Sequence, residues 1–354
     1  MPLGAASGFG LTTGVESGLR RVSNRSKLAD KVFLVATGIC ASSPVVFLLA
    51  ITMTVLIQAE PSMRYMGWGF LTHIQWNLGN LYGMPMHKNG VSFMQGATFG
   101  ALPFIVGTLA SSVIALIIAV PVSIFTAMIL AYQVRGWLGS LLSILVELLA
   151  GLPSVVIGLW GITVLAPWVG KQFGPLLTHI GVVIPIFKGP VYTGMGLLTS
   201  GITLALMIIP IITATTRDLM SRVPVLYREA GIGLGMTSFE VVRIVCLPLI
   251  RDGLVGAVAL GWGRAMGETM AVLMVSGNAS NYLPHNIYSP ISTMASAIAA
   301  QLDSALTDMT HMAVHALAEL ALVLLIITVL TNWLARLLVN RASRRRGRVR
   351  GANA

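Results

Sequence analysis

The chain has 354 residues, of which 55% are apolar and 10% charged, with a net charge of +11. Soluble globular domains carry about 25% charged residues, so the composition excludes a soluble fold and makes the bilayer the apolar solvent, each helical span taking about 20 residues. The positive charge does not indicate nucleic acid: the arginines after the last apolar run (336, 341, 344, 345, 346, 348 and 350) have no aromatic residue among them and read as a juxtamembrane anchor on anionic lipid.

Residues 1–30 are rich in Gly, Ser and Thr, carry Arg20, Arg21, Arg25 and Lys27, and read as a flexible cytoplasmic segment. The apolar run from Val32 to Ile57 is too long for the 7–15-residue core of a signal peptide, and Cys40 follows Ile39 rather than a small residue, so the run stays as the first span. Residues 58–102 are expected to be an outer loop, followed by spans near 103–131, 141–166, 194–216, 253–277 and 312–338. The segments on one side of six such spans hold 18 Lys and Arg residues, and the loops on the other side hold 4. The more basic side is cytoplasmic by the positive-inside rule, which puts both termini and residues 217–251 there. Pro44, Pro121, Pro153 and Pro210 fall within the expected spans and kink them. Cys40 and Cys246 are placed too far apart for a bridge.

Residues 217–251 contain Tyr227-Arg228-Glu229-Ala230, glycines at 231, 233 and 235, then Thr237 with Glu240 three residues on. The glycines break the first helix, and the Thr/Glu spacing is that of a capping box that starts a second. Pro248 is expected to end this second helix near Leu247. Glu229, Ala230, Gly235, Leu247 and Pro248 stand on the spacing of the EAA loop, Glu-Ala-Ala, three residues, Gly, nine residues, Ile, one residue, Leu-Pro. The chain thus resembles the permeases of bacterial ABC importers. Gly231 replaces the second Ala and is expected to loosen the first helix; Val245 replaces the Ile. The resemblance implies that this loop couples the chain to an ATPase.

The span after the loop carries Gly263-Arg264-Ala265-Met266-Gly267-Glu268-Thr269-Met270-Ala271-Val272 and then Gly277-Asn278. With Val146 to Val156 and the stretch from Ile209-Pro210 to Arg217-Asp218, this resembles the phosphate permeases of the PstC type from about residue 30 to 338. On a span of 253–277, Arg264 lies at the middle with Glu268 one turn further out on the same face. An i,i+4 pair contributes only about 0.3–0.5 kcal/mol on an exposed helix; each charge at mid-bilayer costs about 2.5–3.5 kcal/mol. A water-filled path or a partner charge is therefore implied, or an interhelical ion pair that fixes packing. A guanidinium fork suits phosphate oxygens, and a carboxylate accepts the hydrogen of a protonated phosphate and repels sulfate. The resemblance implies that Arg264, Glu268 and Thr269 lie on a substrate path. It also implies that Glu229, Ala230, Gly231, Gly235, Leu247 and Pro248 form the ATPase contact.

Glu147 is expected to pair with Arg135 or with a basic residue of another subunit. His311, His315 and Glu319 share a helix face in a spacing metals use; without a further ligand, hydrogen bonding is the expected role. No Gly-x-x-x-x-Gly-Lys-Ser/Thr loop occurs, and Gly170-Lys171 is followed by Gln172, so the chain does not hold ATP itself.

The expected fold is an all-α membrane protein: six transmembrane helices, a type I ABC-importer permease fold, both termini cytoplasmic. Its parts are an N-terminal segment (1–30), the first helix and outer loop (31–102), a permease core (103–338) containing the coupling loop (217–251), and a basic tail (339–354). The expected function is the permease subunit of an ATP-driven phosphate importer in the bacterial plasma membrane. The resemblance implies as partners an ATPase dimer holding ATP and Mg (PstB-like), a second permease (PstA-like) and a periplasmic or lipid-anchored phosphate-binding protein (PstS-like). The alternatives are a permease for molybdate or sulfate, and an ion-driven secondary transporter.

Overall fold

The computed structural model describes residues 24–351 apart from 135, 182, 183 and 192, with side chains from 29 to 337 except those four and residue 180. Most of the expected N-terminal segment, Arg135 and the side chains of the basic tail lie outside the described residues. The chain divides into two compact units, Met1–Thr54 and Val55–Ala354. Helix α1 (Asn24–Met66) begins in the first unit and ends in the second. In the first unit its apolar side chains, among them Phe33, Leu34 and Phe47, are exposed, as on a span surrounded by lipid.

Among the described residues, six helices are long and apolar enough to cross a membrane: Ala29–Met66, Leu102–Gln133, Ser154–His179, Leu197–Ser221, Ser238–Met266 and Met312–Leu337. The number agrees with the sequence, but several boundaries do not. Helix α1 continues to Met66, so the expected loop from 58 starts as helix. Its remainder is a small lobe holding β1 (Trp76–Asn77), β2 (Met86–Lys88), β3 (Val91–Phe93) and β4 (Thr98–Phe99). Strands β2 and β3 form a hairpin whose two-residue loop is Asn89 (φ 54°) and Gly90 (φ 77°), residue types that tolerate positive φ at both turn positions. Strand β1 pairs with β4, and Trp76 packs edge-on against Phe99 and Phe104 at 5.2 and 5.4 Å, giving the lobe an aromatic core.

Helix α2 (Leu102–Met128) ends in a π turn, Ile129–Gln133. The expected third span at 141–166 is cut in two. Helix α3 (Trp137–Ala150) stops at Gly151, and Pro153, with ψ 134°, caps α4 (154–180) rather than kinking a span. The proline ring drives the residue before it out of helical geometry, and the apolar run gives no sign of this because both sides of the break are equally apolar.

Helix α5 (Leu197–Ser221) runs alongside α2: Ser123 Oγ donates to the Ile209 carbonyl at 3.1 Å, and a Cβ on Gly201 would fall on Ile114. Such small residues let membrane helices approach where no aqueous hydrophobic effect drives them together. Helix α6 (Val225–Gly233) and α7 (Ser238–Met266) follow, then α8 (Met270–Val275), α9 (Met294–Leu306) and α10 (Met312–Gly351). Ala115 and Ala119 of α2, Leu204, Ile208 and Ile212 of α5, Ala257 and Ala265 of α7 and Val272 of α8 form the central core. On the end away from α6, the backbone of 276–291 closes the bundle through Leu198 N–H to the Ile287 carbonyl (2.8 Å) and Leu197 N–H to the Ser289 carbonyl (3.0 Å).

Candidate functional site

Two stretches stand out, the α6–α7 corner and the break between α7 and α8. Helix α6 passes unbroken through Gly231, contrary to the expectation that this glycine interrupts it, and ends at Gly233. Gly231 is buried, and a Cβ there would lie 3.0 Å from Val241 Cγ2. Its lack of a side chain thus serves contact with α7, while the Leu234 N–H still bonds the Ala230 carbonyl at 3.1 Å. The break falls at Gly235, whose φ of +83° is the left-handed conformation that glycine adopts without a Cβ penalty. Thr237 and Glu240 then form the capping box: the Glu240 N–H donates to Thr237 Oγ1 (3.3 Å) and the Thr237 N–H to Glu240 Oε2 (2.8 Å).

Leu247 and Pro248 do not end the second helix. They lie inside α7, directly after a π turn at Val241–Cys246. The extra residue in that turn relieves the clash between a proline ring and the carbonyl one turn back. Val225, Leu226, Ile232, Leu234 and Phe239 are exposed around the corner, an apolar surface on the most polar part of the chain. Glu229 and Ala230 are exposed beside them. The Arg228 guanidinium lies over the Tyr132 ring, 4.0 Å from its centre, and the Tyr132 hydroxyl donates to the Met220 carbonyl at 2.8 Å. This fixes α6 to the ends of α2 and α5.

The second stretch corrects the geometry expected for Arg264 and Glu268. Helix α7 ends at Met266; Gly267 follows, with long closing bonds from the Gly267 N–H to the Gly263 carbonyl (3.3 Å) and from the Glu268 N–H to the Ala265 carbonyl (3.4 Å). Glu268 and Thr269 occupy the break, Thr269 donating its hydroxyl to the Gly267 carbonyl at 3.3 Å. Arg264 and Glu268 therefore do not share one helix face, and among the described residues neither has an ion-pair partner within 4.0 Å. The i,i+4 argument fails because the flanking Gly263 and Gly267 carry no side chain to hold a helix there.

Depth is set by α5. A Cβ on Gly261 would lie 2.8 Å from Ile212 Cδ1 and 3.7 Å from Ile208 Cβ, halfway along α5. Arg264 is three residues further, about 4.5 Å along the axis. It lines a half-open groove of about 950 Å³ between α7 and α10, together with Asp252, Thr328, Asn332 and Arg336. Glu268 does not line this groove. On the other side of the break, α8 is held against α4, where a Cβ on Gly158 would lie 2.9 Å from the Ala271 Cα.

Glu147 meets Arg217 of α5, at 3.9 Å, across an exposed surface. His315 Nδ1–H donates to the Gln58 carbonyl at 2.7 Å, a tie between α1 and α10 within the second unit. Thr328 and Asn332 do not stand out in the sequence, because one Thr and one Asn in an apolar span are ordinary; only their spacing of four residues with Arg336 places all three on one face.

Residues 119–344 match the family described as "Binding-protein-dependent transport system inner membrane component". The chain is 48% identical over 310 residues to "Phosphate transport system permease protein PstC 1" of Mycobacterium tuberculosis, covering 87% of this chain and 92% of that one. It is 36% identical over 322 residues to "Phosphate transport system permease protein PstC" of Haemophilus influenzae, covering 90% and 96%. A solved structure of the MetNI methionine ABC transporter in inward-facing conformations covers 68% of this chain and 94% of that one, with 17% identity and a TM-score of 0.46. The chain belongs to the binding-protein-dependent transport system inner membrane components and, within them, to the phosphate transport system permease proteins.

Proposed function

We propose that the chain is the transmembrane permease subunit of an ATP-driven phosphate importer, a multi-pass protein of the bacterial plasma membrane with both termini cytoplasmic. It lines the path and hydrolyses nothing; ATP and Mg belong to a separate ATPase dimer. The observation that carries the path is Arg264: a guanidinium halfway along the bundle, exposed to a groove and with no carboxylate within 4.0 Å among the described residues. Its place in the last turn of α7 stabilises it by about 0.3–1 kcal/mol through the helix dipole, well short of the roughly 2.5–3.5 kcal/mol that a mid-bilayer charge costs. An anionic substrate is the missing counter-charge, and guanidinium presents a planar fork to phosphate oxygens. Glu268 and Thr269 sit in the break beyond it, and at membrane depth an unwound backbone is tolerated only where it is buried in protein or lines a water-filled cavity. Glu268 is the carboxylate that a protonated phosphate can meet and that fully ionised sulfate cannot.

The exposed apolar corner of α6 is the ATPase contact, with Glu229 and Ala230 on its surface and Gly231, Gly235, Leu247 and Pro248 setting its shape. A second permease closes the half-open groove, and a phosphate-binding protein delivers substrate at the opposite end of the bundle. Co-purification of the tagged chain tests the assembly: an ATPase and a second permease should appear together. Uptake of labelled phosphate in cells lacking their own system tests the path, and near-normal uptake by Arg264→Gln would remove its basis.

A further inference from the structure

We propose that the groove between α7 and α10 is a binding step for a hydrogen-bearing tetrahedral oxyanion, in which Arg264 of α7 supplies the charge and Thr328 and Asn332 of α10 supply the hydrogen-bonding partners. This rests on the phosphate path proposed above and assigns the last span a part in it.

The helices are antiparallel here. Thr331 Oγ1 lies 3.7 Å from Met266 Sδ, and a Cβ on Gly263 would lie 3.6 Å from Asn332 Nδ2. Asn332 is thus level with Gly263, the neighbour of Arg264, and Thr328 is one turn beyond it towards the break. Both line the groove with Arg264. A Cβ on Gly256 would meet nothing within 4 Å, and one on Gly263 would meet only Asn332, so no side chain from these positions fills the space before the α10 face. The 950 Å³ is ample for an anion with part of its water.

The polar groups differ in what they offer. The Thr328 hydroxyl donates to the Leu324 carbonyl at 2.7 Å, which commits its hydrogen to the helix and leaves its lone pairs as acceptors. The Asn332 amide has no protein hydrogen-bond partner among the described residues and offers both donor and acceptor. A hydrogen-bearing phosphate satisfies guanidinium and acceptors together. Sulfate leaves Thr328 without a donor, and the phosphodiester of a lipid headgroup, although it also carries phosphate oxygens, has no P–OH hydrogen either. Among the charges lining the groove, Asp252 is twelve residues from Arg264 along α7, about 18 Å, too far to neutralise it. Arg336, one turn below Asn332, makes the way towards the cytoplasmic end positive as well.

The test uses the assembled transporter, with its ATPase and second permease, in vesicles, on a Cys40→Ser, Cys246→Ser background carrying Asn332→Cys. The rates of modification by anionic and cationic methanethiosulfonates are compared. The anionic reagent should react several-fold faster; this preference should vanish with Arg264→Gln, and millimolar phosphate, but not sulfate, should slow the reaction. Equal rates, or indifference to both phosphate and Arg264→Gln, would overturn the proposal, as would slowing that follows the anionic lipid content of the vesicles and not phosphate. In the unmodified background, Thr328→Val and Asn332→Leu should each lower phosphate uptake at least about fivefold with the complex assembled in normal amount. Normal uptake by both, where Arg264→Gln abolishes it, keeps the path but removes this step from it. If Arg264→Gln also transports normally, the phosphate path itself is wrong.

Discussion

At Arg264 the decisive quantity is the balance between a charge held inside a bundle and what surrounds it. No carboxylate lies within 4.0 Å among the described residues, and Glu268 stands beyond the helix end. Were the two residues only a packing pair, exchanging them (Arg264→Glu with Glu268→Arg) would restore much of what either single change removes. With Arg264 meeting the anion and Glu268 its hydrogen, the exchange reverses the two charges along the path and stays inactive. Arg264→Lys keeps the charge but not the fork; losing one charged hydrogen bond, about 1.5–3 kcal/mol, lowers uptake by roughly tenfold or more. Uptake normalised to inserted protein measures both, and near-wild-type transport by the exchanged protein would hand the site to packing.

Among the elements, the α6–α7 corner depends on one backbone conformation. Gly235→Ala puts a Cβ at φ +83° and costs about 1–2 kcal/mol, spent on tilting α6 rather than unfolding the spans. The expected result is normal membrane insertion with weakened substrate stimulation of ATP hydrolysis in the reconstituted complex. Glu229→Lys, on the exposed face of α6, should give the same separation, and unchanged coupling in both variants would deny the corner its role. At the other end of the site, Gly158→Val drives a side chain into Ala271 and Met274. Overpacking of this kind costs about 1–3 kcal/mol and should appear as a lower melting temperature in detergent, alongside reduced uptake because α8 loses its seat.

For the whole molecule, the partition of basic residues predicts the orientation. Cysteines replacing Asn89 or Asn281 should react with an impermeant reagent in intact cells, and one replacing Ser238 only after permeabilisation. Labelling of position 238 from outside would overturn the topology and the ATPase contact together. The structural placement of Lys171 within the span Ser154–His179 removes one residue from the less basic side and leaves the direction of the asymmetry unchanged.

Apolar length and charge were enough to determine six spans, and short-range chemistry the capping box of Thr237 and Glu240, because both depend on neighbours within a turn or within one bilayer thickness. The Arg, the Glu and the corner residues were also legible, since charge in an apolar run and glycine in a polar one stand out by type alone. Where helices stop was not. Pro153 ended one and Pro248 did not, since a π turn beside Pro248 absorbs its ring. Gly231 continued a helix, packed against Val241 and Met236, whereas Gly235 at φ +83° did not. The helix end at Gly267 separated Glu268 from the face of Arg264, and tertiary structure alone brought Thr328 and Asn332 level with Arg264. Which side chains share a groove depends on contacts between segments some sixty residues apart, and a single sequence does not record the register of one helix against another.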